Sequence, residues 1–297
     1  MLGIGPGLTF RDIVLESWTL EVGQPHWELA DSVPGPNGRL AATAQTLEGR
    51  IYVVGGYTVA DDSTEVSVPD VDVYDPVTGQ WSKAAPLPIP ADDAVSVVWR
   101  GRLILVSGWH DRDTVRDVQL YDPKIDTWEA LPEIPGPGVF GHAGGLIADE
   151  LVFCDGVGVD RSLDPPFYAQ TGCYAASLDV ENPAASTWRV LPHHGHPARY
   201  RVAAGGLGTR AWVVFAGGTD RPYNYNGVGY DGVPADPSPD VFAWDVRQEQ
   251  WIDLPDLPVA SMDHRSLVAV GDTLWLVGGM GEGSEVLATA WILAPMR

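Results

Sequence analysis

The sequence predicts an all-β fold, a β-propeller of five four-stranded blades, with six blades as the alternative. Three observations lead there. A tryptophan opening a short segment, usually with Leu and Pro, recurs at Trp27, Trp81, Trp128, Trp188 and Trp251. After each comes a strand of small residues, a turn, and an apolar strand ending in small residues: Ile51 to Gly56, Leu103 to Gly108, Leu151 to Gly156, Trp212 to Gly218 and Leu274 to Gly279. Helical spacing of apolar residues is not sustained anywhere, whereas four short strands per unit of roughly fifty residues suit a propeller blade.

In chain order, Ser17 to Val22 reads as a third strand without a blade before it, either an extra strand on the ring or the remnant of a sixth blade. Trp27 to Val33 reads as a fourth strand. The last repeat supplies three strands, ending near Trp291. Because propellers avoid exposed edges, the N-terminal strand is expected to complete the last blade. The chain thus divides into an N-terminal segment, 1–26, and a propeller, 27–297. The paired glycines meet a need for a turn without a Cβ near a crowded axis.

The Gly-Gly pair, the Tyr-Asp-Pro step at Tyr74 and Tyr121, and the Trp several residues later resemble the kelch family. The first two repeats match well. The third departs, with Asp155-Gly156 and Leu178-Asp179, and the fourth has Trp244-Asp245. The resemblance implies a kelch-type propeller, a scaffold that enzymes and binding proteins share. In size and solitary-domain layout the chain is similar to the bacterial sialic acid epimerases. That likeness implies an Arg gripping a carboxylate and a His or acidic group assisting ring opening. Galactose oxidase, another kelch relative, needs copper held by His and Tyr, and Cys173-Tyr174 is only a neighbour pair. The iron-binding set of the plant specifier proteins has no counterpart.

A formal net charge of -22 disfavours nucleic acid and anionic membranes as partners. No apolar run is long enough for a membrane helix, and the first residues lack the pattern of a signal peptide. Cys154 and Cys173 fall on neighbouring strands of one blade. They are either a disulfide, which argues for an extracytoplasmic setting, or two buried thiols in a cytoplasmic protein.

One face of the ring collects the loops between blades and those between second and third strands. Six of the seven histidines fall there, as do Arg39, Arg112, Arg161, Arg199, Arg201, Arg221 and Arg265. First-strand starts, including Asp92-Asp93 and Tyr200-Arg201, are expected to line the channel mouth. His264, His142, Asp263 and Asp93 are the candidate catalytic groups, by proton transfer. Arg39, Arg199, Tyr200, Arg201, Arg265, His110, Arg221, Tyr223 and Tyr225 are the candidate ligand contacts, the tyrosines by stacking and the arginines by paired hydrogen bonds. His193, His194 and His196 invite a metal reading, but no carboxylate or Cys partner is evident in the sequence. No cofactor is expected, zinc and copper included. The expected role is recognition of a carbohydrate or acidic sugar, with a sugar epimerase or mutarotase and a protein-binding module as alternatives. The expected partner is accordingly a small molecule or glycan, or a protein.

Overall fold

The computed structural model describes residues 13–35 and 38–293. A hairpin comes first, β1 (Ser17–Thr19) and β2 (Glu28–Ala30). Blade 1 is β3 (Thr43–Leu47), β4 (Arg50–Val54), the ribbon β5 (Tyr57–Val59) and β6 (Glu65–Ser67), then β7 (Val71–Asp75) and β8 (Gln80–Lys83). Blade 2 is β9 (Val95–Trp99), β10 (Arg102–His110), β11 (Asp113–Asp122) and β12 (Thr127–Leu131). Blade 3 is β13 (Ala143–Ile147), β14 (Glu150–Cys154), the ribbon β15 (Val157–Val159) and β16 (Phe167–Ala169), β17 (Cys173–Ser177) and β18 (Thr187–Leu191). Blade 4 is β19 (Ala203–Leu207), β20 (Trp212–Ala216), β21 (Val241–Asp245) and β22 (Gln250–Leu254). Blade 5 is β23 (Val268–Val270), β24 (Thr273–Val277) and β25 (Ala290–Leu293). Blades 1 to 4 are antiparallel four-stranded sheets, and blade 5 has three strands among the described residues. The all-β, five-bladed propeller expected from the repeat is the architecture found.

Apolar side chains on facing sheets fill the spaces between successive blades. Val54, Leu105 and Tyr121 lie between blades 1 and 2. Trp99, Ile104 and Phe153 lie between blades 2 and 3, Val152, Phe215 and Trp244 between blades 3 and 4, and Leu207, Val214 and Leu276 between blades 4 and 5. Between blades 5 and 1 a cleft of about 480 Å³ opens instead, lined by Trp27, Leu40, Ala44, Val268 and Val277 among others.

The recurring tryptophans fasten blade to blade. Trp128 Nε1 donates to Ala85 O of blade 1 (2.8 Å), Trp188 Nε1 to Pro132 O of blade 2 (2.9 Å), and Trp251 Nε1 to Pro192 O of blade 3 (2.6 Å). Trp81 Nε1 donates likewise to Asp31 O, just past β2 (3.1 Å). Strand β2 therefore stands where a fourth strand preceding blade 1 belongs. It pairs with β1, however, and not with β25. The expectation that the N-terminal strand completes the last blade is corrected accordingly: the N-terminal hairpin repeats the third and fourth strands of a blade, and the edge of β25 stays unpaired among the described residues.

Two left-handed turns recur in every blade. The second residue of the Gly pair is glycine throughout, with φ between +83° and +121°. A Cβ on Gly108 would lie 2.7 Å from Asp92 O. The first position tolerates Ser107 (φ +53°) and Asp155 (φ +62°). The other turn falls at the start of each first strand, at Ala41, Asp93, Gly141, Arg201 and Asp263, all with φ between +49° and +64°. Here backbone bonds run from blade to blade: Asp93 N–H donates to Ala41 O, Gly141 N–H to Asp93 O, and Arg201 N–H to Gly141 O. The last step slips by one residue, with His264 N–H donating to Arg201 O.

These contacts separate two kinds of glycine. Gly101 (φ +75°) has open space where a Cβ would go, so Gly101→Ala is expected to cost only the left-handed strain, about 1–2 kcal/mol. Gly108→Ala adds a clash with backbone and is expected to cost more than about 3 kcal/mol. Denaturant midpoints of the two variants check this.

Candidate functional site

The loops between second and third strands build walls around the channel mouth. Blade 1 contributes β5–β6, blade 2 the extended ends of β10 and β11, and blade 3 β15–β16. From blade 4 a loop, 217–240, arches across. Its Asn224 Nδ2 donates to Glu65 Oε1 of blade 1 (2.9 Å), and its Tyr230 ring lies 4.1 Å from that of Phe167 of blade 3. The disulfide between Cys154 and Cys173 clamps the base of the β15–β16 ribbon, where the two residues face each other across β14 and β17.

These walls enclose a pocket of about 250 Å³ lined by Tyr57, Glu65, Ser67, Asp92, Asp93, Trp109, Phe140, Phe167, Arg201, Asn224 and Tyr230. Trp109, Phe140 and Phe167 form a cluster of aromatic edges and faces. Beside it sit two consecutive buried carboxyl groups whose surroundings shift them in opposite directions. Asp92 Oδ2 accepts from Ser67 Oγ (2.6 Å). Burial, reinforced by the charge on Asp93, pushes the Asp92 carboxyl well above the usual carboxylate range. Burial acts on Asp93 in the same sense, but the guanidinium groups of Arg201 and Arg265 hold it below that range. Arg201 Nη2 donates to Asp93 Oδ2 (2.8 Å) and its Nη1 to Asp263 Oδ1 (3.1 Å), while Arg265 Nη2 is 2.9 Å from Asp93 Oδ1.

Of the residues expected from sequence, Asp93, Asp263, Arg201 and Arg265 thus converge in one network. His142 and His264 do not reach the pocket. His142 Nε2 bonds Val106 O (3.0 Å) and His264 Nε2 bonds Ser261 Oγ (2.6 Å); burial lowers each to about 4, so both are neutral imidazoles at neutral pH. Tyr200 and Tyr223 are completely buried, and Tyr200 OH donates to Tyr223 O (2.9 Å), which ties the arching loop to the start of blade 4. Arg39 pairs with Asp72 (2.6 Å) and Arg199 with Asp240, both within the rim of their own blades. Arg221 pairs with Asp231 inside the arching loop. Tyr225 faces the cleft between blades 5 and 1, and His110 is half-buried beside Asp111.

The histidine run does have a carboxylate partner. Asp155 Oδ1 and Oδ2 lie 3.1 Å from His193 Nε2 and 2.8 Å from His194 Nε2. The backbone N–H groups of Gly195 and His196 donate to the Nδ1 atoms of His193 and His194, so each Nε2 carries the proton that Asp155 receives. A metal bound at Nε2 needs the opposite tautomer. The third donor nearby, the Cys173 sulfur, is engaged in the disulfide.

Sequence reasoning passed over Trp109, Phe140, Phe167, Glu65 and Ser67. A signal for the first two was present. The residue after each Gly pair bridges to the residue before the left-handed turn, as in Asp92↔Trp109 and Phe140↔Val157. Positions 92, 109 and 140 were therefore mouth positions by register alone.

The kelch-motif sequence profile matches residues 38–88 and 93–135. Kelch-like protein 25 of Xenopus tropicalis is 34% identical over 125 residues, covering 40% of this chain and 21% of that protein. Kelch-like protein terF of Aspergillus terreus is 23% identical over 275 residues (89% of this chain, 55% of terF). Kelch domain-containing protein 3 of Homo sapiens is 25% identical over 265 residues (82% and 64%). These matches thus span from a fifth to under two thirds of each relative's length. Among solved structures, one titled "Structure of YjhT" superposes with a TM-score of 0.79 at 18% identity, covering 98% of this chain and 90% of that one.

The carboxylate pair predicts a pH signature. The folded pKa of Asp92 lies above its unfolded value of about 3.9, so the unfolded chain holds fewer protons in that window and Asp92 lowers stability as pH rises through it. Asp92→Asn keeps an acceptor for Ser67 and removes the buried charge. The variant is expected to be more stable than wild type at pH 7.5, with the difference vanishing near pH 4. Denaturant unfolding at the two pH values checks it.

Proposed function

The chain belongs to the kelch-repeat family, and on that scaffold we propose that it binds a carbohydrate in the pocket at the channel mouth. The observation carrying this reading is the pairing of aromatic surface with hydrogen-bonding groups in one pocket. Trp109, Phe140, Phe167 and Tyr230 supply apolar faces, while Asp92, Glu65, Ser67 and Asn224 supply hydrogen-bonding groups in the same pocket. A sugar ring needs both, an apolar face to stack and hydroxyls to satisfy. The volume, about 250 Å³, falls below the range of about 300–1,000 Å³ common for drug-sized ligands. That favours a single ring over an oligosaccharide.

The charges narrow the class. Arg201 and Arg265 are both committed to Asp93 and Asp263, and Asp92 and Glu65 add acidity at the wall. A neutral or amino sugar fits this balance better than an acidic one, which would compete with Asp93 for the guanidinium groups.

A second reading, turnover of the bound sugar in the manner of an epimerase or mutarotase, is favoured by the adjacent carboxylates whose environments push their proton affinities apart, a pattern suited to acid–base work. In it Asp92, not a histidine, would donate the proton to a ligand oxygen. NMR exchange between anomers, lost in Asp92→Asn, would support turnover.

Thermal-shift and calorimetric titration with neutral, amino and acidic monosaccharides tests the binding reading. Neutral or amino sugars are expected to raise Tm, with binding weakened at least tenfold in Trp109→Ala. Absence of a shift with every sugar overturns it.

A further inference from the structure

The pocket at the channel mouth holds a charge imbalance. Four charged groups line it: Glu65, Asp92, Asp93 and Arg201. Arg201 is committed to other carboxylates, its Nη2 to Asp93 (2.8 Å) and its Nη1 to Asp263 (3.1 Å), and Arg265 adds a second cation on Asp93. Two arginines thus balance two aspartates. Glu65 and Asp92 remain. Their side chains bond only the uncharged Asn224 and Ser67, with no Lys, Arg or His partner among the described residues.

Asp92 is the more telling of the two. Only 4% of it is exposed, yet it lines the pocket. Ser67 Oγ accepts the Asp111 N–H (3.1 Å) and donates to Asp92 Oδ2 (2.6 Å), so that oxygen is taken. Asp92 Oδ1 has no hydrogen-bond partner among the described residues. A carboxyl group this buried normally has a cation or several donors. Five aromatic rings line the same pocket, those of Tyr57, Trp109, Phe140, Phe167 and Tyr230. Ring faces attract a cation, and a carboxylate accepts its N–H donors. An ammonium group answers both the rings and the missing charge, and a hydroxyl answers neither.

We propose that the ligand of this pocket is an amino sugar in its ammonium form, with the ammonium donating to Asp92 Oδ1 among the aromatic rings. This rests on the carbohydrate reading and narrows it. The ligand-free state agrees. Burial and the charges of Asp93 and Glu65 favour a protonated Asp92, against the Ser67 hydrogen bond and the charge of Arg201, and Asp111 reaches it only through Ser67. An arriving ammonium supplies the absent cation. Asp92 then gives its proton to solvent: carboxylic acid plus ammonium becomes a carboxylate–ammonium pair plus one released proton.

Calorimetric titration of the full chain at about pH 6, below the usual range of an amine, tests this with D-glucosamine and D-galactosamine, each against its N-acetyl derivative and its parent hexose. The better amine is expected to bind at least about tenfold tighter than either, as one charge-assisted hydrogen bond implies. Titrations in two buffers of different ionisation enthalpy are expected to show proton release with the amine and none with the hexose. Asp92→Asn keeps the acceptor for Ser67. It is expected to abolish both the preference and the proton release, with Tm checking the fold and hexose binding kept within about threefold. A hexose that binds as tightly as its amine overturns this inference and leaves the carbohydrate reading standing. So does a preference that survives Asp92→Asn, or amine binding without proton release. Failure of every sugar to bind overturns both.

Discussion

At the channel mouth each of blades 1 to 4 accepts, on one carbonyl, the backbone N–H of the blade that follows. The relay through Ala41, Asp93, Gly141 and Arg201 requires the left-handed conformation at each step. Non-glycine residues adopt that conformation at a cost of about 1–2 kcal/mol, so each polar residue there is held by its surroundings. Asp93 and Arg201 are held by each other. Buried ions of opposite sign at 2.8 Å offset much of one another's lost hydration, and Asp263 and Arg265 complete the balance. Gly141 has a different task. A Cβ there would sit 2.0 Å from the Tyr200 ring, so the missing side chain makes room for the tyrosine that anchors the arching loop.

The Gly pair shows how degradation of a repeat creates polar fasteners. Where the first glycine is Ser107, its hydroxyl bonds Val115 O and Val139 O and accepts Val139 N–H. Where it is Asp155, the carboxylate takes His193, His194 and the Arg199 N–H. Both replacements secure the strap that crosses to the next blade.

This explains what was legible in the sequence. Periodic Trp and Gly residues announce strands because their positions answer geometric needs repeated in each blade. The convergence of Asp93, Arg201, Asp263 and Arg265 was legible for the same reason, since all begin first strands. Phe167 was hidden because ribbons β5–β6, β10–β11 and β15–β16 differ in length, and nothing in a loop's composition states which wall it will form. The fate of His142 and His264 was hidden too. Their type suggests proton transfer, but only the structure reveals imidazoles kept neutral by burial, with Nε2 bonded to Val106 O and to Ser261 Oγ. The N-terminal strand misled through an argument from ring closure, which assumes that the ends meet.

They meet only in part, and the site feels the consequence. The relay slips at its last step, where His264 rather than Asp263 takes the Arg201 carbonyl, and beyond that step the cleft opens between blades 5 and 1. Tyr57 and Arg201 line both this cleft and the pocket at the channel mouth. The pocket's fourth wall is thus a side chain fixed at one end by Asp93 and at the other by Asp263. Because Arg201 bonds Asp93 of blade 2 and Asp263 at the start of blade 5 at once, this one side chain ties the two sides of the channel mouth together next to the point where the ring stays open.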